Sequence, residues 1–164
     1  MPISGETYKQ VGRASAGAVS VVAAYDRVSK SIAALTVSSF VTLSFEPPLV
    51  MFAIQHNADS YPSIVSSKAF GVSLLSVHQS DIAQRFASKG SGKTLNMKFD
   101  EGLVTEVPLI PNSLAQIECL TSQIVISGDH AIVVGLVEAA RTRDAEPLLY
   151  FARQYGSFAP LAGK

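Results

Sequence analysis

Cysteine is almost missing from this chain. Cys119 is the only one in 164 residues, so no internal disulfide can hold the fold together. Net charge is missing too. Thirteen basic residues balance thirteen acidic ones, which supports neither a nucleic-acid partner nor a membrane-surface partner. No apolar run approaches the roughly 20 residues that span a bilayer. The opening stretch MPISGETYKQVGR lacks the apolar core of a signal peptide. The expectation is a cytoplasmic protein whose residues 1–164 form one domain.

Familiar catalytic signatures are absent as well. His56, His78 and His130 are scattered, without HExxH or paired-ligand spacing, so no metal site is expected. There is no GxSxG, no GxGxxG after a strand and no GxxxxGK[ST]. KGSGK at 89–93 lacks the Walker spacing and reads as a solvated loop. Cys119, beside Ile117 and Leu120 in strand-like sequence, reads as a buried, inert thiol. What remains is a binding surface.

Apolar residues make up 48% of the chain and charged residues 16%, enough for a real core without staples. Residues 4–16 predict a short helix with Ser4 as its cap, and 18–25 a strand. A polar turn at 26–31 leads into an extended segment, 32–45, that breaks at Glu46-Pro47-Pro48. LVMFAI at 49–54 fits a buried strand. A short helix follows from Tyr61 to Ser67, then a strand over 70–77. Residues 80–87 predict an amphipathic helix with Ile82, Ala83 and Phe86 on one face. Residues 88–113 predict a long loop with short extended pieces. Two long strands, 114–126 and 130–142, meet at Ser127-Gly128-Asp129, a strong hairpin signal, and 148–155 predicts the last strand. Strands outnumber helices, which argues for an antiparallel β-barrel.

Two polar clusters stand out. Thr36, Ser38 and Ser39 interrupt strand-like sequence. They either fill a strand edge near a bend or let a flat ligand approach the backbone. Asn57, Asp59 and Ser60 precede Pro62. They either cap a helix or mark an anion site, to which Arg85 and Lys89 would add positive charge. Together the clusters suggest a pocket for something flat at one end and phosphorylated at the other.

The order of short motifs resembles the short-chain flavin reductase family, the FMN-binding split-barrel reductases that serve two-component monooxygenases. The resemblance rests on AGAVSVV (16–22), TVSSF (36–40), EPPLV (46–50), FGVSLLS (70–76), QRFASKG (84–90), VPLI (107–110), LAQIEC (114–119), GDH (128–130) and EPLLYF (146–151) with QYGSF (154–158). It spans about Arg13 to Phe158. It implies a mainly β fold, a six-stranded antiparallel Greek-key split barrel with a few short helices, and a homodimer with flavin near the dimer interface. It also implies hydride transfer from NADH or NADPH to FMN or FAD, and delivery of the reduced flavin to a partner monooxygenase. The implied flavin contacts are Ile32, Ala33, Ala34, Leu35, Thr36, Ser38 and Ser39, then Ala53, Ile54, Asn57 and Ser60, then Ala87 and Lys89. His130, of the GDH motif, would serve the nicotinamide as the one catalytic residue, and Tyr155 would close the same site. The alternatives are a flavin store or redox sensor, or an oxidase with prosthetic FMN. Three departures bear on flavin type and affinity: Ala34 where the family has glycine, Gln116 where it has an aromatic, and VVAA where many members have VVTA.

Overall fold

The computed structural model describes residues 2–26, 28–90 and 92–161. Helix α1 (Gly5–Ala14) begins as the sequence predicts, with the Ser4 hydroxyl accepting the Thr7 N–H at 3.1 Å. Strands β1 (Gly17–Ala18), β2 (Ser20–Tyr25), β3 (Ile32–Val37), β4 (Val41–Phe45) and β5 (Pro48–Gln55) follow. Next come α2 (Tyr61–Ser66), β6 (Ala69–Leu74), a 3-10 turn (Val77–Gln79) and α3 (Ser80–Ala87). The two-residue strands β7 (Asp100–Glu101) and β8 (Pro108–Leu109) precede the long hairpin of β9 (Ala115–Ser127) and β10 (His130–Thr142). β11 (Leu149–Phe151) and β12 (Gln154–Gly156) finish the chain. No helix among the described residues is long and apolar enough to cross a membrane.

Seven strands form one antiparallel sheet in the order β3-β2-β6-β9-β10-β5-β4. β3 and β4 are consecutive in the chain yet occupy its two edges. Only residues 38–40 join them. Such a link reaches ~14 Å at most, whereas seven strands laid flat would hold their edges ~29 Å apart. The sheet must therefore curl until its edges meet, and that is the barrel.

The same seam divides the segment expected as one stretch over 32–45, so the sheet has seven strands instead of six. Its hydrophobic pattern reads alike on both sides of the break. The break comes from a long-range contact. The Ser39 hydroxyl donates to the Ala53 carbonyl at 3.1 Å and accepts the Ala53 N–H at 3.0 Å, standing in for a strand partner on β5. Pro48 opens β5 opposite Phe45, so the proline pair marks the β4–β5 hairpin. The expected last strand is also two. β11 and β12 turn back through Ala152 and Arg153, both in the left-handed region at φ 48° and 67°, and join β1 in a separate sheet. Neither residue type advertises a turn.

One face of the curled sheet packs Val22, Phe52, Ile54, Phe70, Cys119 and Val133, with Ile64 added by α2. Burial pushes the Cys119 thiol up to about 12, consistent with an inert thiol. The other face of β2 packs Val21 and Ala23 against Ala83 and Phe86 of α3. β2 is thus apolar on both faces because both are covered.

The loop after α3 is braced from β9. The buried Glu118 carboxylate accepts the N–H groups of Leu103, Val104 and Thr105 at 2.7–2.9 Å and the Thr105 hydroxyl at 3.0 Å. Burial pushes this carboxyl up, but the four donors together outweigh it and hold the group below its ordinary value of 4.5. Gln116 donates to the Asp100 carboxylate and the Ile110 carbonyl, and accepts from Arg141. Stabilisation from a lowered carboxyl is complete above its unfolded value and is lost as pH falls through the folded one. Glu118→Gln should cost about 1–3 kcal/mol at pH 7. The gap from the parent chain should narrow as pH falls below the ordinary value of 4.5. Urea unfolding at neutral and acidic pH measures both, and a gap that stays constant would contradict this account.

Candidate functional site

The seam leaves a groove of about 390 Å³. Its walls are the end of β3 with the crossover, the end of β5, the turn before α2, the end of α3 and the start of β10. Leu35, Thr36, Ser38, Ser39, Ala53, Ile54, Asn57, Ser60, Ala87, Lys89 and His130 all line it. Ile32, Ala33 and Ala34 line an adjoining cavity that shares Asp59, Ser60 and Lys93 with the groove. Tyr155 lines a third cavity of about 200 Å³, which shares Thr36, Val37, Ser38 and Ala87 with it. The segments singled out in the sequence thus line three cavities that share wall residues.

Their side chains play unequal parts. Thr36 donates to the Ala83 carbonyl at 2.8 Å and ties β3 to α3. Ser39 holds the seam. Of the three hydroxyls only Ser38 has no hydrogen-bond partner among the described residues, and it is exposed. Among the described residues β3 pairs only with β2, so its outer backbone edge has no strand partner there. Ala53, Ala58 and Ala87 add apolar surface beside that edge, backed by the buried Leu35, Ile54 and Phe86.

The other end is polar. Ser60 is buried and precedes α2, but its side chain makes no capping bond. α2 is only six residues long, so its dipole adds little. Cations supply the charge instead, though not the expected pair. Lys89 lines the groove, whereas Arg85 donates its guanidinium to the carbonyls of Lys93 and Leu95 and does not line it. The glycine-rich loop is exposed at Lys89, Gly90 and Gly92, as expected, but it turns Lys93 inward. The Gly90 N–H donates to the Asp59 carboxylate at 2.7 Å, with Gly90 at φ 106°. Lys93 lies 4.0 Å from the same carboxylate, its side chain only 15% exposed. Lys93, Gln55 and Phe86 were not legible as site residues, whereas Asp59 belongs to the polar cluster ahead of Pro62. For Lys93 the sole signal was a lysine among glycines.

At the hairpin end, Gly128 takes φ 60° as the first central residue of the two-residue turn. His130 faces Gln55 across β5, and its Nδ1 lies 2.7 Å from the Asp129 carboxylate. That hydrogen bond is the main reason the Asp129 carboxyl sits below its usual range. A carboxylate only accepts, so Nδ1 carries the proton of this bond. Tyr155 pairs across strands with Tyr150, ring centroids 5.2 Å apart, and burial raises its hydroxyl. Gln116 lies in the brace on β9, outside the groove, so that departure does not touch the site. Among the described residues no group of three or more His, Cys, Asp or Glu could hold a metal.

An apolar wall, an open backbone edge and a cationic end fit a planar heteroaromatic ring that carries a phosphate. The comparisons point the same way. The model of the flavin reductase like domain matches residues 12–159. The reductase component of 4-hydroxyphenylacetate 3-monooxygenase from Thermus thermophilus is 34% identical over 151 residues, 92% of this chain and 94% of that protein. An FMN reductase (NADH) from Agrobacterium fabrum is 34% identical over 126 residues, 76% of this chain and 70% of that one. The NADH:FAD oxidoreductase of Streptomyces globisporus, solved in complex with NAD and FAD fragments, is 25% identical and covers 99% of both chains with a TM-score of 0.87. With a family match across nearly the whole length and a solved relative of the same curled sheet, this chain belongs to the flavin reductase like domain family.

Proposed function

We propose that the chain, as a single domain, is an NAD(P)H-dependent flavin reductase that passes reduced flavin to a partner monooxygenase. The observation that carries this reading is the convergence, at one barrel seam, of an unpaired β3 edge, two lysines and His130. A bound flavin supplies the hydride acceptor. The protein binds and orients. The β3 edge and the Ser38 hydroxyl hold the ring, and Ser60, Lys89 and Lys93 hold the phosphate. His130 accepts a hydrogen bond from the nicotinamide carboxamide through Nε2, with Asp129 fixing its tautomer. Tyr150 and Tyr155 flank the neighbouring cavity and limit water there. The work is positioning, which can account for a large part of a barrier.

We also propose a homodimer. β4 is an edge strand that exposes Val41, Leu43 and Phe45, the last at 94%. An apolar edge of this kind invites pairing or aggregation unless a partner covers it. A second copy is the partner that every solution of this chain contains.

One preparation tests both readings. Colourless protein that oxidises NADH only after flavin is added is the expected result, with a dimer mass by light scattering at micromolar concentration. Yellow protein that oxidises NADH unaided would point to a prosthetic flavin, and yellow protein inert to NAD(P)H to a binding module. A monomer mass would remove the dimer.

The phosphate contacts have their own test. Charge-assisted hydrogen bonds contribute about 1.5–3 kcal/mol each. Ser60→Ala combined with Lys89→Ala should therefore weaken FMN far more than riboflavin in a fluorescence titration. Equal losses would place the phosphate elsewhere.

His130→Ala should leave flavin affinity nearly intact and slow flavin reduction by NADH in a stopped-flow single turnover. An unchanged rate would make His130 a turn residue only, and collapse of flavin binding would put it on the wrong side of the pocket.

A further inference from the structure

The phosphate end of the groove is not a wall. Asp59, Ser60 and Lys93 line it and also line the adjoining cavity, which at about 510 Å³ is larger than the groove itself. The chemistry changes across that boundary. Beyond Lys93 the lining is rich in hydroxyls, from Ser29, Ser31, Ser63 and Thr94, with one further carboxylate, Asp26.

That carboxylate is held in place. It accepts the N–H groups of Val28 and Ser29 at 2.9 and 2.7 Å and the Ser63 hydroxyl. The Ser63 bond leads the interactions that lower its pKa to about 2, so it is ionised at neutral pH. Three of its roughly four acceptor positions are taken by these donors among the described residues. The Ser29 and Ser31 hydroxyls bond each other at 2.7 Å, and each keeps further capacity. Such a wall suits a sugar with adjacent hydroxyls. Asp26 and Asp59 also repel any additional phosphate placed among them, so the group that fits is an unphosphorylated nucleoside.

The groups proposed to serve the nicotinamide lie outside this cavity. His130 lines the groove and Tyr155 the third cavity, and neither lines this one.

We propose that this chain selects FAD over FMN, with Lys93 under the pyrophosphate and the cavity bounded by Asp26, Ser31, Ser63 and Thr94 holding the adenosine half. This rests on the flavin reductase reading above and adds the class of flavin. Lys93 is suited to the bridging place because it lines both cavities and its side chain is mostly buried, where charge acts through less solvent.

The test is a set of binding titrations on the flavin-free full chain, read by quenching of flavin fluorescence for riboflavin and FMN and by calorimetry for FAD. FAD should bind at least about tenfold more tightly than FMN. Ser31→Phe fills the adenosine cavity from an exposed position and should bring FAD down to the FMN level while leaving FMN unchanged. Adenosine 5′-monophosphate, added at millimolar concentration to the parent chain, should weaken FAD binding. Equal affinity for FMN and FAD, equal losses of both in Ser31→Phe, or indifference of FAD binding to the adenosine nucleotide would each overturn the proposal. If riboflavin, FMN and FAD all fail to bind, the flavin reading itself falls, which is a different result from tight FMN binding with no gain for FAD.

Discussion

Three residues between β3 and β4 impose the shape of the whole molecule. Ser38, Ser39 and Phe40 must join strands that sit at opposite edges of a seven-stranded sheet. A link that short leaves the sheet no flat solution, so it curls and its edges converge. Convergence without full backbone pairing leaves a gap, and that gap is the groove. Ser39 keeps the gap from widening by bonding both backbone groups of Ala53. Each such bond has a modest net value of about 1 kcal/mol, but this pair sits where the two edges meet.

The site is therefore built from the polar groups that folding does not use. Thr36 and Ser39 look equivalent to Ser38 in the sequence, yet each is committed to a backbone partner. Asp59 holds the glycine loop, and Arg85 holds the same loop through its carbonyls. What these contacts leave available among the described residues is the β3 edge, the Ser38 and Ser60 hydroxyls and Lys89, with Lys93 beside Asp59.

The long segment after α3 shows the same logic on the far side of the sheet. Glu118 and Gln116 supply from one strand the partners that this loop cannot find within itself. Closer to the groove, Arg85 does so for the part of the loop that carries Lys93. Little of this segment is regular structure, yet its backbone groups are drawn to named side chains.

Local pattern was enough for much of the fold. Residues 80–87 repeat at the helical period, and α3 spans those residues with Ala83 and Phe86 buried. Gly128 between two apolar strands announces the long hairpin, and the order of short motifs already resembled the family to which the chain belongs. These features depend on residues a few positions apart, so a linear reading captures them. The break at 38–40, the redirection of Arg85, the inward fold of Lys93 and the turn at Ala152 and Arg153 were not legible. Each depends on a partner distant in the chain or on a backbone conformation its residue type does not favour. Ser39 meets Ala53 only because the sheet has curled, and Lys93 reaches the groove only because Asp59 and Arg85 hold its loop. The sequence by itself determined which elements form and which kind of ligand to look for. Tertiary structure decided which hydroxyls are free and which cations reach the groove, because those choices are set by contacts that exist only once the barrel closes.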